Sequence, residues 1–539
     1  MSLSFGTAGM RAPVGPADNQ MNVRQVTRIS AGVAAWLAEQ AAQSPHAVES
    51  VYPGDSAPSI GLAFHEDDAA LRIVVGYDAR YGSHAFATAT AEVFAGAGFE
   101  VFLMPTPTPT PIVPWLIKQW HLDGGVQITA SHNPAPDNGY KVYTSLGRQI
   151  SSAAASEIEE CIGAVGPAVD VPRVFVRPAS DQLRRYVDDV VGLVAPKQAD
   201  LLRVNNERAS LRIAFTAMHG VGGRALMQGL QAAGFVHIFP VAEQHYPDPT
   251  FPTVEFPNPE EPAAVERLLA HGDKVDADVL IALDPDADRC AVGVRCKDGT
   301  LRMLRGDETG PLLATRLIPR WEGSDTGKRP IVATTIVSSQ LLPTIAADRG
   351  WDLRQTLTGF KNLMAAAGTE QIAYGCEEAV GIAPAPALVD DKDGIATALL
   401  ICAWAAELKA RRLTLLDELD ELYRAYGVHV GHQISARTVN PTALITSLSM
   451  VPWEELLGFP GEVRSLAEVS GLPAMNGMQF LGQHEAGRVR IIARASGTES
   501  KAKIYIEITQ DPGDLSRRHE AAELLESVSR TVSGLVARL

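Results

Sequence analysis

The chain has 539 residues, 46% of them hydrophobic, and a formal net charge of -16 at pH 7. That length exceeds one ordinary core several times over and predicts four domains. The negative balance argues against nucleic acid and anionic membrane as partners, so an anionic ligand needs Lys and Arg gathered locally.

The N-terminal MSLSFGTAGMRAP lacks the basic-then-apolar order of a secretory signal. Cys161, Cys290, Cys296, Cys376 and Cys402 are odd in number and form no CxxC pair, which predicts isolated thiols in a reducing compartment. The expected location is therefore the cytoplasm. From there the chain reads as short apolar strand, Gly-containing loop and helix, repeated. A first cycle has strands at 71–80, 99–105 and 124–132 with a helix at 83–97. A second has strands at 211–223, 235–242 and 277–289, interrupted by the Pro-rich run 246–262, which can be neither helix nor central strand. A third has strands at 329–339, 351–362 and 371–381. GIATALLICAWAAEL, from residue 394, falls short of the roughly 20 apolar residues that cross a bilayer and reads as a buried helix.

After about residue 425 the rhythm changes: 488–508 reads as two alternating strands around a Ser-Gly-Thr turn, and 514–538 as a closing helix. The expected fold is α/β: three consecutive α/β domains with mixed sheets (1–200, 201–303, 304–425) and a smaller C-terminal α+β domain (426–539).

Five stretches carry chemistry. GGVQITASH delivers Ser131 to the carboxyl end of a strand, where open α/β sheets bind ligands; the plainer alternative is a turn serine. In LDPDADR, Asp284, Asp286 and Asp288 would repel one another unless a cation sat among them, and a hard divalent ion such as Mg2+ suits three carboxylates; the plainer alternative is a solvated acidic turn. An EF-hand is excluded, because Arg289 and Arg295 stand where Gly and Glu are required. RASGTESKAK sets Arg494, Lys501 and Lys503 about a turn rich in N–H and hydroxyl donors, which suits a phosphate dianion or, alternatively, a basic surface hairpin. GCEEAVG carries Glu377 and Glu378, suited to sugar hydroxyls, and DDKDG places Lys392 among carboxylates; taken alone, the first reads more readily as a solvated loop and the second as a charged turn. A competing signal is Gly220, Gly222 and Ala225 in GxGxxA spacing, with Glu243 about 20 residues on, as in a dinucleotide-binding fingerprint.

FGTAGMR (5–11), TASHNP (129–134), DNGYKVY (137–143), DPDADR (284–289), TGFKN (358–362), EEAVG (377–381), DKDG (391–394) and RASGTE (494–499) occur in this order. Together they resemble the motifs of the α-D-phosphohexomutase superfamily, the phosphoglucomutases and phosphomannomutases. TASHNPAPDNGYKVY and PDPTFPTVEFPNPEE look especially like the branch with phosphopentomutases and glucose 1,6-bisphosphate synthases.

The resemblance implies four domains around a central cleft, the last of them TATA-binding-protein-like. It implies that Ser131 is phosphorylated and joins Asp284, Asp286 and Asp288 in holding Mg2+. Arg11, Lys141, Arg289 and Lys392 are then catalytic. Glu377 and Glu378 meet sugar hydroxyls, Gly359, Phe360 and Lys361 read the sugar's orientation, and Arg494, Ser496, Gly497, Thr498 and Lys501 grip the phosphate that is not transferred.

Two departures stand out: Ala379 replaces the serine of the hexomutase Glu-x-Ser form, and MRAP replaces Arg-Gly after Arg11. The implied reaction moves phosphate between O1 and O6 of a hexose, with a sugar 1,6-bisphosphate as activator and intermediate; the alternatives are a phosphopentomutase, a bisphosphate synthase, or a non-catalytic sugar-phosphate sensor. The resemblance gives Lys141 and Lys392 a part in proton transfer or in phosphate contact, and a lysine acting as base needs a depressed pKa. His132 is expected to be a structural neighbour, since adjacent side chains usually diverge. The fourth domain is expected to close about a hinge near 420–435. The partner is a small sugar phosphate; oligomeric state is not legible.

Overall fold

The computed structural model describes residues 3, 5–6, 9–43, 70–323, 327–470, 476–495 and 501–539. Four sheets follow one another along the chain. In the first, Arg72–Tyr77 lies parallel to Glu100–Leu103 and Gly124–Ile128, and Asp137–Thr144 runs antiparallel to Gly124–Ile128 and to Gly9–Pro13. The inner strands are buried on both faces, as their unbroken apolar runs require. Asp137–Thr144, taken from sequence only as a motif, is a buried central strand whose register sets Lys141 beside Gln127.

The second sheet orders Leu301–Met303, Cys290–Arg295, Val279–Leu283, Arg212–Thr216 and His237–Pro240; its last three strands are parallel and the first two antiparallel additions. The third orders Asp352–Thr356, Ile331–Thr335, Tyr374–Cys376 and Ile382–Ala383. All three sheets are thus mixed. The strands before Ser131, Asp284 and Glu377 end close together, with the Ser131 hydroxyl 3.1 Å from Asp284 and Arg289, next to the aspartates, 3.9 Å from Glu377. Residues 246–261 form no helix or strand, and Pro262 opens the helix Pro262–Lys274 at a position where a missing N–H costs nothing.

The helix Gly394–Ala410 is buried almost all round. It packs against Leu183–Gly192, Leu201–Ser210 and Gly222–Ala232, so the third domain's helix completes the cover of the second sheet. This accounts for its lack of an amphipathic period. Asp393 caps it, accepting from the Ala396 N–H at 2.9 Å and from the Tyr186 hydroxyl at 2.7 Å. Among the described residues no helix is long and apolar enough to cross a membrane.

The C-terminal domain is richer than two strands and a helix. A five-stranded antiparallel sheet orders His429–Arg437, Lys501–Thr509, Gly487–Ala495, Gly477–His484 and Gly461–Ser465, and the helices Pro441–Ser449 and Arg518–Val536 pack on it. The chain enters through Gly427, φ 95°, where a Cβ would overlap the Gln510 carbonyl. That crossing lies inside the stretch expected to hinge.

A buried polar clasp docks this sheet on the third domain. Glu507 accepts from Ser339 Oγ (2.5 Å), the Gln340 N–H (2.9 Å) and Arg490 Nε (3.0 Å), and lies 3.0 Å from His429 Nδ1. Arg490 also donates to the Ser338 carbonyl at 2.5 Å, and Arg305 donates to the carbonyls of Gly431 and His429. Asp307 accepts the Ser339 N–H at 2.8 Å, and burial pushes its carboxyl up to about 7.

An unfolded aspartate titrates near about 3.9, so between these values the folded chain keeps a proton that the unfolded chain has released. Asp307 therefore contributes stability below about pH 4 that is lost as the pH rises through about 7. Urea midpoints across about pH 5 to 8 should fall less steeply for Asp307→Asn than for the unmodified chain; parallel curves would show that this carboxyl titrates normally.

Candidate active site

Ser131 stands three residues beyond Gly124–Ile128 with φ 54°, a left-handed conformation that non-glycine residues seldom adopt. Its N–H donates to Thr129 Oγ1 (2.9 Å), and its hydroxyl donates to Asp284 Oδ2 (3.1 Å). The same backbone brings Oγ within 3.1 Å of His132 Nδ1. The expectation that these neighbouring side chains diverge is therefore corrected, because it presumed an extended turn. His132 is held well below its usual value by burial first, then by Arg289, Arg11, Lys503 and Lys501. Cations from the first, second and fourth domains thus act through their charge on His132.

Asp284, Asp286 and Asp288 are 0% exposed, and their ligand oxygens lie within 4.8 Å of one another. Lys141 supplies a cation, its Nζ 2.7 Å from Asp286 Oδ2 and 2.9 Å from Asp288 Oδ2; Lys392 Nζ lies 3.4 Å from Asp288. Thr110 donates its hydroxyl to Asp286 Oδ2 at 2.7 Å and its N–H to the Asp286 main-chain carbonyl at 2.9 Å. Burial and the two other aspartates push Asp284 well up, whereas for Asp286 burial is outweighed by Lys141 and hydrogen bonds, and it stays below the usual carboxylate range. Asp286 Oδ1 and Asp288 Oδ1 remain buried without a hydrogen-bond donor. Two orphaned anionic oxygens in a three-carboxylate cage fit a hard divalent cation.

Burial would depress Lys141, but Asp286 and Asp288 outweigh burial and raise it, opposite to the depression that a lysine base requires.

The remaining site residues converge from several loops. Arg11 donates to Asn133 Oδ1 at 3.0 Å. Arg289 donates to the Ala379 carbonyl (3.0 Å) and to Glu260 (3.4 Å), and lies 3.9 Å from Glu377. Glu377 is pushed up to about 7, by burial first, with Arg289 and Lys392 opposing. Glu378 Oε2 accepts from Thr335 (2.9 Å) and Ser338 (3.0 Å); despite burial it is lowered, by Lys503 and Arg494. Phe360 lies 4.9 Å beneath Lys392 Nζ at the start of Phe360–Ala365, with Gly359 before it, and burial lowers Lys361. Arg494 is buried and donates to the Tyr505 hydroxyl at 2.8 Å. Lys501 opens the strand Lys501–Thr509. Ser496, Gly497 and Thr498 lie outside the described residues.

The GxGxxA pattern has a packing explanation. A Cβ on Gly220 would overlap Pro285, and one on Gly222 would stand 2.7 Å from the Ala287 methyl, so these glycines let the 217–222 loop pass beneath the aspartate loop. Glu243, 63% exposed, faces Arg267 at 3.7 Å. Sequence reading missed Thr110, Arg80 and Glu260. The PTPTPTP run before Thr110 was a visible signal of a stiffened segment; the other two touch the site only through residues far away in sequence.

Three family models match consecutive parts of the chain: phosphoglucomutase/phosphomannomutase, alpha/beta/alpha domain I at 56–167, domain II at 184–298 and domain III at 305–426. A Haemophilus influenzae protein named "Probable phosphomannomutase" is 37% identical over 454 residues, covering 83% of this chain and 90% of its own length. The Homo sapiens phosphopentomutase is 30% identical over 575 residues, covering 98% and 88%. Among solved structures, parafusin (phosphoglucomutase) from Paramecium superposes with a TM-score of 0.71 at 19% identity, over 100% of this chain and 96% of that one.

Breaking a buried ion pair on one side strands the other and typically costs about 3–5 kcal/mol. Lys141→Met should therefore lower the thermal midpoint by several degrees. Added MgCl2 should raise that midpoint more in Lys141→Met than in the unmodified protein, because the ion replaces the lost ammonium; equal shifts would separate Lys141 from the cation site.

Proposed function

Because this chain belongs to the phosphoglucomutase/phosphomannomutase family, we propose that it moves phosphate between O1 and O6 of a hexose, glucose or mannose, through phosphorylated Ser131. The observation that carries this reading is the Ser131 hydroxyl, 3.1 Å from Asp284 of a buried carboxylate cage.

In the first half-reaction the free O6 or O1 oxygen of a sugar monophosphate bonds to the phosphorus on Ser131 as the P–Oγ bond breaks, giving the sugar 1,6-bisphosphate and free serine. The bisphosphate turns over in the cleft, and Ser131 Oγ takes the other phosphoryl group. A cation at Asp284, Asp286, Asp288 and the Ser131 phosphate, Mg2+ in this reading, supplies charge neutralisation when bound. Arg11 and Arg289 meet the same oxygens as the P–O bonds change. Lys141 balances the aspartates, and Lys392 exchanges the proton of the attacking hydroxyl. His132, kept neutral, orients Oγ.

Arg494 and Lys501, with Ser496, Gly497 and Thr498, hold the phosphate that stays. Glu377 and Glu378 accept from sugar hydroxyls, while Gly359, Phe360 and Lys361 sense which way round the ring lies. A glucose 1,6-bisphosphate activator follows from the need to phosphorylate Ser131 first.

A second reading, phosphate moved between O1 and O5 of ribose or deoxyribose, is favoured by Ala379, which removes a hydroxyl from the sugar loop, and by the human phosphopentomutase relative.

With Mg2+ and a trace of glucose 1,6-bisphosphate, kcat/KM on glucose, mannose, ribose and deoxyribose 1-phosphates decides between them. Hexoses should win and Ser131→Ala should be inactive. A pentose preference above about tenfold, roughly 1.4 kcal/mol of transition-state preference, would establish the second reading, and full activity in Ser131→Ala would overturn the phosphoserine route.

A further inference from the structure

Loops from the first and second domains meet beneath Ser131 in backbone conformations that L residues seldom adopt. Ser131 (φ 54°), Met218 (47°), His219 (58°), Phe251 (47°) and Ala287 (59°) belong to four separate loops. The loops are tied together: the Val221 N–H donates to the Pro285 carbonyl at 2.8 Å, and the Asp248 N–H to the His219 carbonyl at 2.9 Å. Outlying backbone of this kind persists only where its surroundings over-determine it, and it gathers at functional sites.

At the centre stands Arg80, 4% exposed. Its Nη2 donates to the carbonyls of Ser131 (2.7 Å) and Asn133 (2.6 Å), and its Nη1 to those of Pro134 (2.8 Å) and Asp137 (3.1 Å). Its Nε lies 3.2 Å from Asp78 Oδ2, and Asp78 is held by Ser83 Oγ at 2.6 Å. One planar guanidinium thus gathers every carbonyl from 131 to 137 that turns inward on it. A lysine, with one nitrogen, cannot reproduce that fork. The other face of the guanidinium is covered by Phe251, whose ring centroid lies 4.9 Å from Cζ. Phe251 belongs to the Pro-rich run 246–262 of the second domain.

We propose that Arg80, seated by Phe251, is the positioning residue that keeps the Ser131 turn left-handed and its Oγ aimed at Asp284. The proposal rests on the reading of Ser131 as phosphoryl carrier. Arg80 reaches the reaction through the backbone of 131–137, and its contacts include no residue assigned to the sugar or to the distal phosphate. Its effect therefore falls on the transfer step and not on sugar binding, and the fit between the first two domains becomes a condition for transfer.

The test uses the full-length protein with Mg2+ and glucose 1,6-bisphosphate, comparing the unmodified chain with Arg80→Lys, Phe251→Leu and Ser131→Ala. Intact mass reads phosphate on Ser131, steady-state assays read kcat and KM, and thermal midpoints check folding. Misplacement by about 1 Å costs on the order of 10²-fold in rate, so Arg80→Lys should lose about 10²-fold in kcat and Phe251→Leu about tenfold, each with KM within about threefold of the unmodified value. If the unmodified chain takes no phosphate at Ser131, the phosphoserine reading fails first. If it does, while a folded Arg80→Lys keeps its kcat or changes mainly in KM, the positioning role is overturned and the function stands. Should Arg80→Lys fail to fold, Phe251→Leu decides by the same criterion.

Discussion

Three carboxylates with ligand oxygens inside 4.8 Å and no access to solvent are the constraint around which the cleft is built. Isolated buried charge is among the costliest arrangements a protein holds, so the neighbourhood must supply compensation. Lys141 supplies an ammonium from a central strand of the first sheet, the Thr110 hydroxyl donates to Asp286 from a Pro-stiffened loop, and the Arg289 N–H donates to Asp284 at 3.0 Å. Lys141 and Thr110 thereby join the first domain to the second. Gly220 and Gly222 then have a clear reason to lack side chains, since the aspartate loop lies where a Cβ would be.

A second polar chain runs from the cleft to the C-terminal domain. Ser338 donates to Glu378 and gives its carbonyl to Arg490, which also binds Glu507; Glu507 in turn receives Ser339 and Gln340. The loop 335–340 is thus held by Glu378 on one side and by the docked sheet on the other. Every buried member of this chain except His429 Nε2 is engaged, and such networks specify one arrangement of their parts. A swing of the last domain about Gly427 would unseat Arg490 from Ser338 and so reach Glu378.

Much of this was legible in the chain itself. Apolar runs ending in Ser131, Asp284 and Glu377 mark strand ends, and strand ends in α/β sheets are where ligands bind. The aspartates at alternate positions announced a need for a cation, and the order of the motifs identified the superfamily. The limits were just as physical. GxGxxA looked like a phosphate loop because close backbone approach leaves the same glycine spacing whether the visitor is a nucleotide or a neighbouring loop. His132 was set aside because sequence does not report that Ser131 has positive φ. Arg80 and Glu260 carried no signal, since their partners lie about fifty and thirty residues away.

The sequence by itself determined the number and class of domains, the family, and the residue types able to carry phosphate, bind a cation and meet a sugar. These depend on local pattern: periodicity, turn chemistry and charge spacing. Tertiary structure alone decided that Lys141 pairs with Asp286 and Asp288, that Ser131 faces Asp284, and that a proline-rich loop of one domain covers the arginine that clamps another. Protonation and side-chain aim are set by the field and packing of residues brought together from far apart, and no stretch of sequence contains that sum.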